Sequence, residues 1–570
     1  MTEQGHSPTD SYSPEVLTPM SVVSTSVPRG WAALAGSAAA ASALAVGELV
    51  AGLAGGGQPS PVSVVGAAFI DRFAASLKDI AVALFGTNDK VALVVGIVVV
   101  SLGAGAVLGV AASRRFVVAI AGFVAFGAVG FQSYRTDELS RTATGLVASS
   151  MAVVTGIAVL WGLLSVARRL RGGDRSPGGV AVPGGVVVDG VVVDGVAVGG
   201  RLEAAPSSSV FPVAVARRTF LAISGGVVAA AAVVATIGRH LASAGSSEAE
   251  RAKVVLPEPA PSSSTPTPSL DVARVSPYIT PNEDFYRIDT ALTVPQVDLD
   301  TWRLRVDGLV DRPFELTYAE LLALASVEET VTLSCVSNRV GGDLVGNARW
   351  QGVPLGLLLE RAGVHSVATG AGGQVVGRSL DGWTAGFPMD VATDGRVALV
   401  AYAMNGEPLP VRHGFPARLV VAGLYGYVSA TKWLDAIEVT RWDDFDGYWV
   451  PRGWAKEGPI KTMSRIDVPK GGAELSAGMT DVAGVAWAPT RGISAVEVRI
   501  DDGPWKRCEL GDVASENTWV QWHYRWRASV GEHQITVRAT DGEGETQTPV
   551  VAAPAPDGAT GWHSRSVKVT

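Results

Sequence analysis

Of the two cysteines in the chain, Cys335 and Cys508, the first stands in a run whose residue types could do chemistry. The run Val331-Thr332-Leu333-Ser334-Cys335-Val336-Ser337-Asn338-Arg339 begins as a β-branched strand, with Val331, Leu333 and Cys335 on one face, and ends where the polar residues begin. Cys335 therefore stands at a strand end. A thiolate there is a soft ligand for a polarisable metal centre, and the hydroxyl, amide and guanidinium groups that follow suit an anionic cofactor. Cys508, close after Trp505, reads as a small packing residue. Two cysteines are too few for a disulfide framework or for an iron–sulfur cluster held by this chain alone.

The cysteine stretch, followed by Asn347-Ala348-Arg349-Trp350-Gln351-Gly352-Val353-Pro354-Leu355, resembles the cysteine loop of the sulfite oxidase family of molybdenum enzymes. His413-Gly414-Phe415-Pro416-Ala417-Arg418-Leu419-Val420-Val421 resembles a cofactor-binding loop of the same family. It continues through Gly423-Leu424-Tyr425-Gly426 to a third match at Lys432-Trp433-Leu434. The resemblance runs from Ser276 to the C-terminus. It implies a molybdenum-molybdopterin cofactor, with Cys335 as the protein's metal ligand. It also implies that Arg418 and Lys432 supply charge, and Ser429 and Thr431 hydroxyls, to the phosphate that ends the pterin. His413 matches a residue that contacts the cofactor, and Arg287 one that faces the substrate oxyanion. Asn282, Phe285, Tyr286, Ser337, Asn338 and Ser379 align with further cofactor contacts.

One position departs from the family pattern. Sulfite oxidases place a tyrosine at the metal in a segment similar to Gly382-Trp383-Thr384-Ala385-Gly386-Phe387-Pro388, and here Trp383 stands in its place. An indole N–H donates a hydrogen bond but does not exchange a proton as a phenol does, which weighs against sulfite itself as substrate.

The elements that must position these residues follow from composition. Mean hydropathy is +0.27, and residues 1 to about 240 are rich in Ala, Val, Gly and Leu. All but two of the 15 tryptophans come after Asp300, so one part of the chain reads as membrane and the other as globular. A net charge of −8 argues against a nucleic-acid partner, which needs a basic face.

Residues 1–28 read as a disordered polar tail and 29–170 as a four-helix transmembrane region. Residues 62–85, interrupted by Asp71, Arg72, Lys78 and Asp79, read as an interfacial or re-entrant segment. Glu48 should face other helices or the interface. Residues 171–216 form a low-complexity linker. A fifth transmembrane helix spans 217–240 and opens with Arg217-Arg218, which resembles a twin-arginine export signal. Arginines at alternate span ends put the N-terminus in the cytoplasm and the catalytic part outside it.

Residues 241–275 read as an extended tether, 276–460 as an α+β molybdopterin domain, and 461–570 as a β-sandwich, similar to the immunoglobulin-like dimerisation domain of family relatives. Thr317 and Glu320 spell a capping box. The expected protein is a membrane-anchored oxidoreductase acting by oxygen-atom or two-electron transfer on a small sulfur compound or oxyanion. The alternatives are a sulfoxide reductase of the same superfamily and a metal-free cell-envelope binding protein. No histidine lies within the first four spans, so electrons are expected to pass to a separate cytochrome or quinone-linked protein.

Overall fold

The computed structural model describes residues 27–85, 89–171, 213–243, 247–260 and 270–570. The expected tail over residues 1–26, the linker over 172–212, and residues 244–246 and 261–269 of the tether lie outside the described residues. The chain begins with the helices α1 (Arg29–Ala54), α2 (Pro61–Phe85), α3 (Asp89–Ala112), α4 (Phe116–Thr136), α5 (Thr142–Arg171) and α6 (Val213–Ser243). All but α2 are long and apolar enough to cross a membrane. Residues 62–85, expected as an interfacial or re-entrant segment, belong to the continuous helix α2, which satisfies its main-chain groups internally.

Two compact units divide the chain, one made of Met1–Ser42, Ser101–Phe123 and Gly156–Ala230, the other of Ala43–Val100, Val124–Thr155 and Ala231–Thr570. In the first, α1 and α3 approach so closely that a Cβ on Gly36 would lie 1.9 Å from Gly105 O. Gly105 and Gly109, four residues apart, are the small residues that permit it. In the second, Gly52 and Gly238 meet in the same way. There Glu48 pairs with Arg239 at 3.8 Å, so its carboxylate does face another helix.

The short helix α7 (Ser247–Arg251) follows. The expected tether is fastened where it is described: Val297 N–H donates to Ser247 Oγ at 2.7 Å, Arg251 pairs with Glu407 at 2.8 Å, and Ala260 bridges to Val327.

The α+β region comprises β1 (Arg303–Gly308), β2 (Phe314–Thr317), α8 (Tyr318–Ala323), β3 (Val327–Ser334), β4 (Val345–Pro354), α9 (Leu355–Ala362) and β5 (Gly373–Ser379). It continues with β6 (Thr384–Pro388), α10 (Met389–Thr393), β7 (Ala398–Met404), β8 (Glu407–Pro408), β9 (Arg418–Val421), α11 (Gly426–Ser429) and β10 (Leu434–Arg441). One sheet has the order β2-β1-β10-β5-β6; the other runs β3-β4-β7-β8, with β9 also on β7. Side chains from both sheets, such as Val306, Val375, Val400 and Leu419, share one core. The capping box at α8 is formed, with Glu320 N–H donating to Thr317 Oγ1 at 3.1 Å.

The C-terminal part holds β11 (Met463–Val468), β12 (Glu474–Leu475), β13 (Gly478–Trp487), β14 (Ile493–Ile500) and β15 (Lys506–Arg507). After these come β16 (Glu509–Leu510), β17 (Val520–Ala528), β18 (Gly531–Asp541) and β19 (His563–Val569). They form the sheets β11-β13-β17-β16 and β12-β19-β18-β14-β15. Alternation puts Val496 and Val498 of one sheet against Val482 and Trp522 of the other, in a core that also takes Cys508.

Candidate active site

Strand β3 ends with Ser334 opposite Val345 of β4, and the chain turns at Cys335. The turn is closed by the Cys335 N–H donating to Leu344 O at 2.9 Å and the Asn338 N–H donating to Cys335 O at 3.0 Å. The Ser337 N–H reaches Cys335 Sγ at 3.4 Å and orients the sulfur. Asn338 Oδ1 accepts the Leu344 N–H at 3.0 Å, while its Nδ2 is buried without a partner. Leaving such a donor unsatisfied costs roughly 1–3 kcal/mol. The amide is thus held ready for an acceptor.

Arg418 opens β9 and is 5% exposed. Its Nη1 donates to His413 O at 3.1 Å, and the guanidinium lies over the Trp350 ring, 5.0 Å from its centroid. Burial brings its pKa down to about 10, so it stays charged at neutral pH. Among the described residues no carboxylate pairs with it, and a buried cation without a counter-ion is a strong attractor for an anion. His413 is tuned the opposite way. Burial first and Arg418 second lower its pKa to about 4, so the ring is neutral and its Nε2 carries the proton donated to Asn282 O at 3.0 Å. Gly414, with φ +115°, brings this loop close to Lys432, whose Cβ would lie 3.0 Å from a Cβ placed there.

Lys432 and Arg287 converge on a residue that the sequence reading did not single out. Asp289 Oδ2 accepts from Lys432 Nζ at 2.7 Å and from Arg287 Nε at 2.8 Å, and Lys90 at the start of α3 donates to Oδ1. Burial alone would raise the Asp289 pKa, but Lys432, Lys90 and Arg287 outweigh it and hold the carboxyl well below its usual range. Lys432 is brought down to about 8 by burial, against the pull of Asp289. Only distance in sequence hid this cluster: 143 residues separate Asp289 from Lys432, and 199 from Lys90.

The remaining expected residues fall into two groups. Phe285 stacks on Tyr286 with centroids 5.2 Å apart and meets His413 edge-on at 5.7 Å, so it shapes the wall. Burial first, then Cys335, raise the Tyr286 pKa and keep its phenol protonated. Asn282 supports the loop, its Oδ1 accepting from Asn405 Nδ2 at 2.8 Å. The hydroxyls expected to donate to a phosphate are directed elsewhere: Ser429 Oγ donates to Tyr425 O at 3.1 Å and Thr431 Oγ1 to Gly377 O at 3.4 Å. Each hydroxyl has one proton, so here both brace the main chain. Ser379 closes a tight turn, its N–H donating to Trp383 O at 2.9 Å. Trp383 itself lines a cavity of about 250 Å³ with Asp71, Asp137, Glu138, Asp381 and Tyr448. No other expected site residue lines that cavity.

Residues 291–449 match the oxidoreductase molybdopterin binding domain. Sulfite oxidase of Gallus gallus is 32% identical over 322 residues, which span 48% of this chain and 69% of the chicken protein. The chain belongs to the sulfite oxidase family. Human mitochondrial sulfite oxidase is 30% identical over 338 residues, 51% of this chain and 60% of that protein. The oxidoreductase YuiH of Bacillus subtilis is 37% identical over 161 residues, 28% of this chain and 76% of the relative. Among solved structures, the sulfane dehydrogenase SoxCD of Paracoccus pantotrophus aligns with a TM-score of 0.44 at 23% identity, covering 52% of this chain and 86% of that one. As a sulfite oxidase family member, the chain is an oxidoreductase with a molybdenum-molybdopterin cofactor.

The site's own chemistry fits that group. Among the described residues it offers one thiol on an oriented loop, a buried amide lacking an acceptor and a buried guanidinium lacking an acid partner. Among the described residues no cluster of three or more His, Cys, Asp or Glu could hold a metal by side chains alone, so a single protein ligand beside ligands from a cofactor suits this chain.

Proposed function

We propose that this family member is held in the membrane by its apolar helices and acts on a small sulfur compound or oxyanion outside the cytoplasm. Arg418 carries the reading, as a buried cation that shares the neighbour Tyr286 with Cys335 and whose charge no acid meets among the described residues. Cys335 would hold the metal, and Asn338 Nδ2, Arg418 and Lys432 the anionic and polar parts of the pterin. When bound, the cofactor supplies two-electron, oxygen-atom chemistry. Around it, Arg287 binds and orients an oxyanion, and His413 stays neutral and fixes the loop that carries Arg418. The buried phenol of Tyr286 keeps its proton beside the thiolate.

Sulfite is the substrate in the name of the chicken and human relatives. Trp383, standing where sulfite oxidases have a tyrosine, weighs against sulfite here, and a sulfoxide is the second substrate class. The export-like arginine pair Arg217-Arg218 and the span-end arginines support the extracytoplasmic placement. A separate cytochrome or quinone-linked protein takes or delivers the electrons, and the C-terminal sheets serve as an immunoglobulin-like dimerisation module.

The test is molybdenum and pterin analysis of the purified full-length protein, followed by turnover with sulfite and with a sulfoxide in the wild type and in Cys335→Ser. Stoichiometric cofactor with turnover lost in the variant is the expected result. A protein without molybdenum, or a fully active Cys335→Ser, rules the reading out.

A further inference from the structure

We infer that Lys90, in the first turn of α3, is a positioning residue of the active site. By occupying Asp289 Oδ1 it holds Arg287 to a single bond and leaves that arginine's outer N–H groups for a small oxyanion. The inference rests on the functional reading above.

The geometry is a matter of which oxygen is taken. Asp289 Oδ2 receives both Lys432 Nζ, at 2.7 Å, and Arg287 Nε, at 2.8 Å. Lys90 takes Oδ1 and also donates to Ala291 O at 2.8 Å, so one ammonium pins the carboxylate and the main chain two residues on. An arginine facing a free carboxylate closes on it with two parallel N–H···O bonds. Here the fork is not made: Lys90 competes for Oδ1, and the Nε bond is the one hydrogen bond Arg287 makes among the described residues. Its side chain is 32% exposed, whereas Asp289 is 4% exposed. Lys90 is equally exposed, at 31%, but its ammonium is committed to Asp289 and Ala291 O, which leaves the Arg287 terminal N–H groups for a ligand.

Charge acts in the same direction. Lys90, Lys432 and Arg287 set three positive charges against the single negative charge of Asp289, an excess that an incoming anion would meet. Removing Lys90 lowers the excess and frees Oδ1 for Arg287 to close on.

The reach of Lys90 is part of a built contact within the second unit. A Cβ on Gly66 of α2 would lie 2.5 Å from Leu292 Cδ1, so that helix packs closely against the segment following Asp289. Tyr448 Oη donates to Asp71 Oδ1 at 2.7 Å, fastening the same helix to the catalytic region. The apolar helices thus do more than anchor: they complete the charge pattern of the site.

The experiment titrates inorganic sulfate into the molybdenum-loaded full-length protein by calorimetry, comparing wild type, Lys90→Met, Lys90→Arg and Arg287→Met at matched molybdenum content. One charge-assisted hold is lost in Lys90→Met, so sulfate should bind roughly tenfold more weakly, with Lys90→Arg restoring most of the affinity. Sulfate binding should be lost in Arg287→Met. In turnover, the KM of an anionic substrate should rise in Lys90→Met while the KM of a neutral sulfoxide holds, a split that a purely structural lysine would not produce. Unchanged sulfate affinity in Lys90→Met, binding that survives Arg287→Met, or equal KM rises for both substrates would each overturn the inference while leaving the functional reading intact. Failure of that reading shows first and separately, as wild-type protein without molybdenum.

Discussion

In the C-terminal region three arginines each have an acid close by. Arg491 Nε lies 3.0 Å from Asp541, Arg538 Nη2 lies 2.8 Å from Glu497, and Arg465 Nε lies 2.7 Å from Asp467. The candidate site is built the other way, with three cations on Asp289 and Arg418 without any acid among the described residues. The two cysteines repeat the contrast. Cys508 sits in the apolar core of the sandwich, where burial pushes its thiol up to about 12, while Cys335 ends a strand in a turn that carries the buried polar side chain of Asn338. Pairing completes a structure, whereas a surplus of one charge is an incomplete site that a ligand finishes.

The largest expected break of this contrast is Cys335→Ser, which puts a hard oxygen in place of a soft sulfur and should abolish turnover with the fold intact, as circular dichroism would show. Next is Arg418→Met. Its expected signature has two signs: cofactor retention falls roughly 10- to 100-fold with the lost charge-assisted bonds, while the cofactor-free protein gains thermal stability because an unpaired buried cation is gone. Arg491→Met sharpens the comparison, since it strands the buried Asp541 carboxylate. On the order of 3 kcal/mol of stability should be lost with molybdenum content unaffected, measured by denaturant titration and metal analysis.

Acid should separate the regions less sharply. Burial lowers both His413 and His563 from 6.5 to about 4, and His563 Nδ1 accepts the Ile466 N–H at 2.9 Å, a bond its protonation would break. Between those values the unfolded chain binds protons that the folded rings refuse, so stability falls as pH drops from about 6.5 to about 4, with a slope of about two protons. Denaturant midpoints against pH measure it, and His563→Gln should remove about one proton from the slope. The smallest expected effect is that of Cys508→Ala, roughly 1 kcal/mol for a small buried group, with turnover unchanged.

The sequence by itself determined whatever depends on neighbours along the chain. Long apolar runs gave helices long enough to cross a membrane, because a helix satisfies its main-chain polar groups within itself. Alternating residues gave strands, Thr317 and Glu320 a helix start, and Cys335 at a strand end marked the site. Tertiary structure alone decided what depends on residues far apart. Ser429 and Thr431 look like phosphate donors along the chain, and only the fold sets their hydroxyls within reach of the carbonyls of Tyr425 and Gly377. Asp289 is one acid in a loop until folding brings Lys432, Arg287 and Lys90 onto its two oxygens. The physical reason is range: propensities and caps act within a few residues, whereas charges and buried donors respond to whatever the fold places within a few ångströms, however distant in sequence.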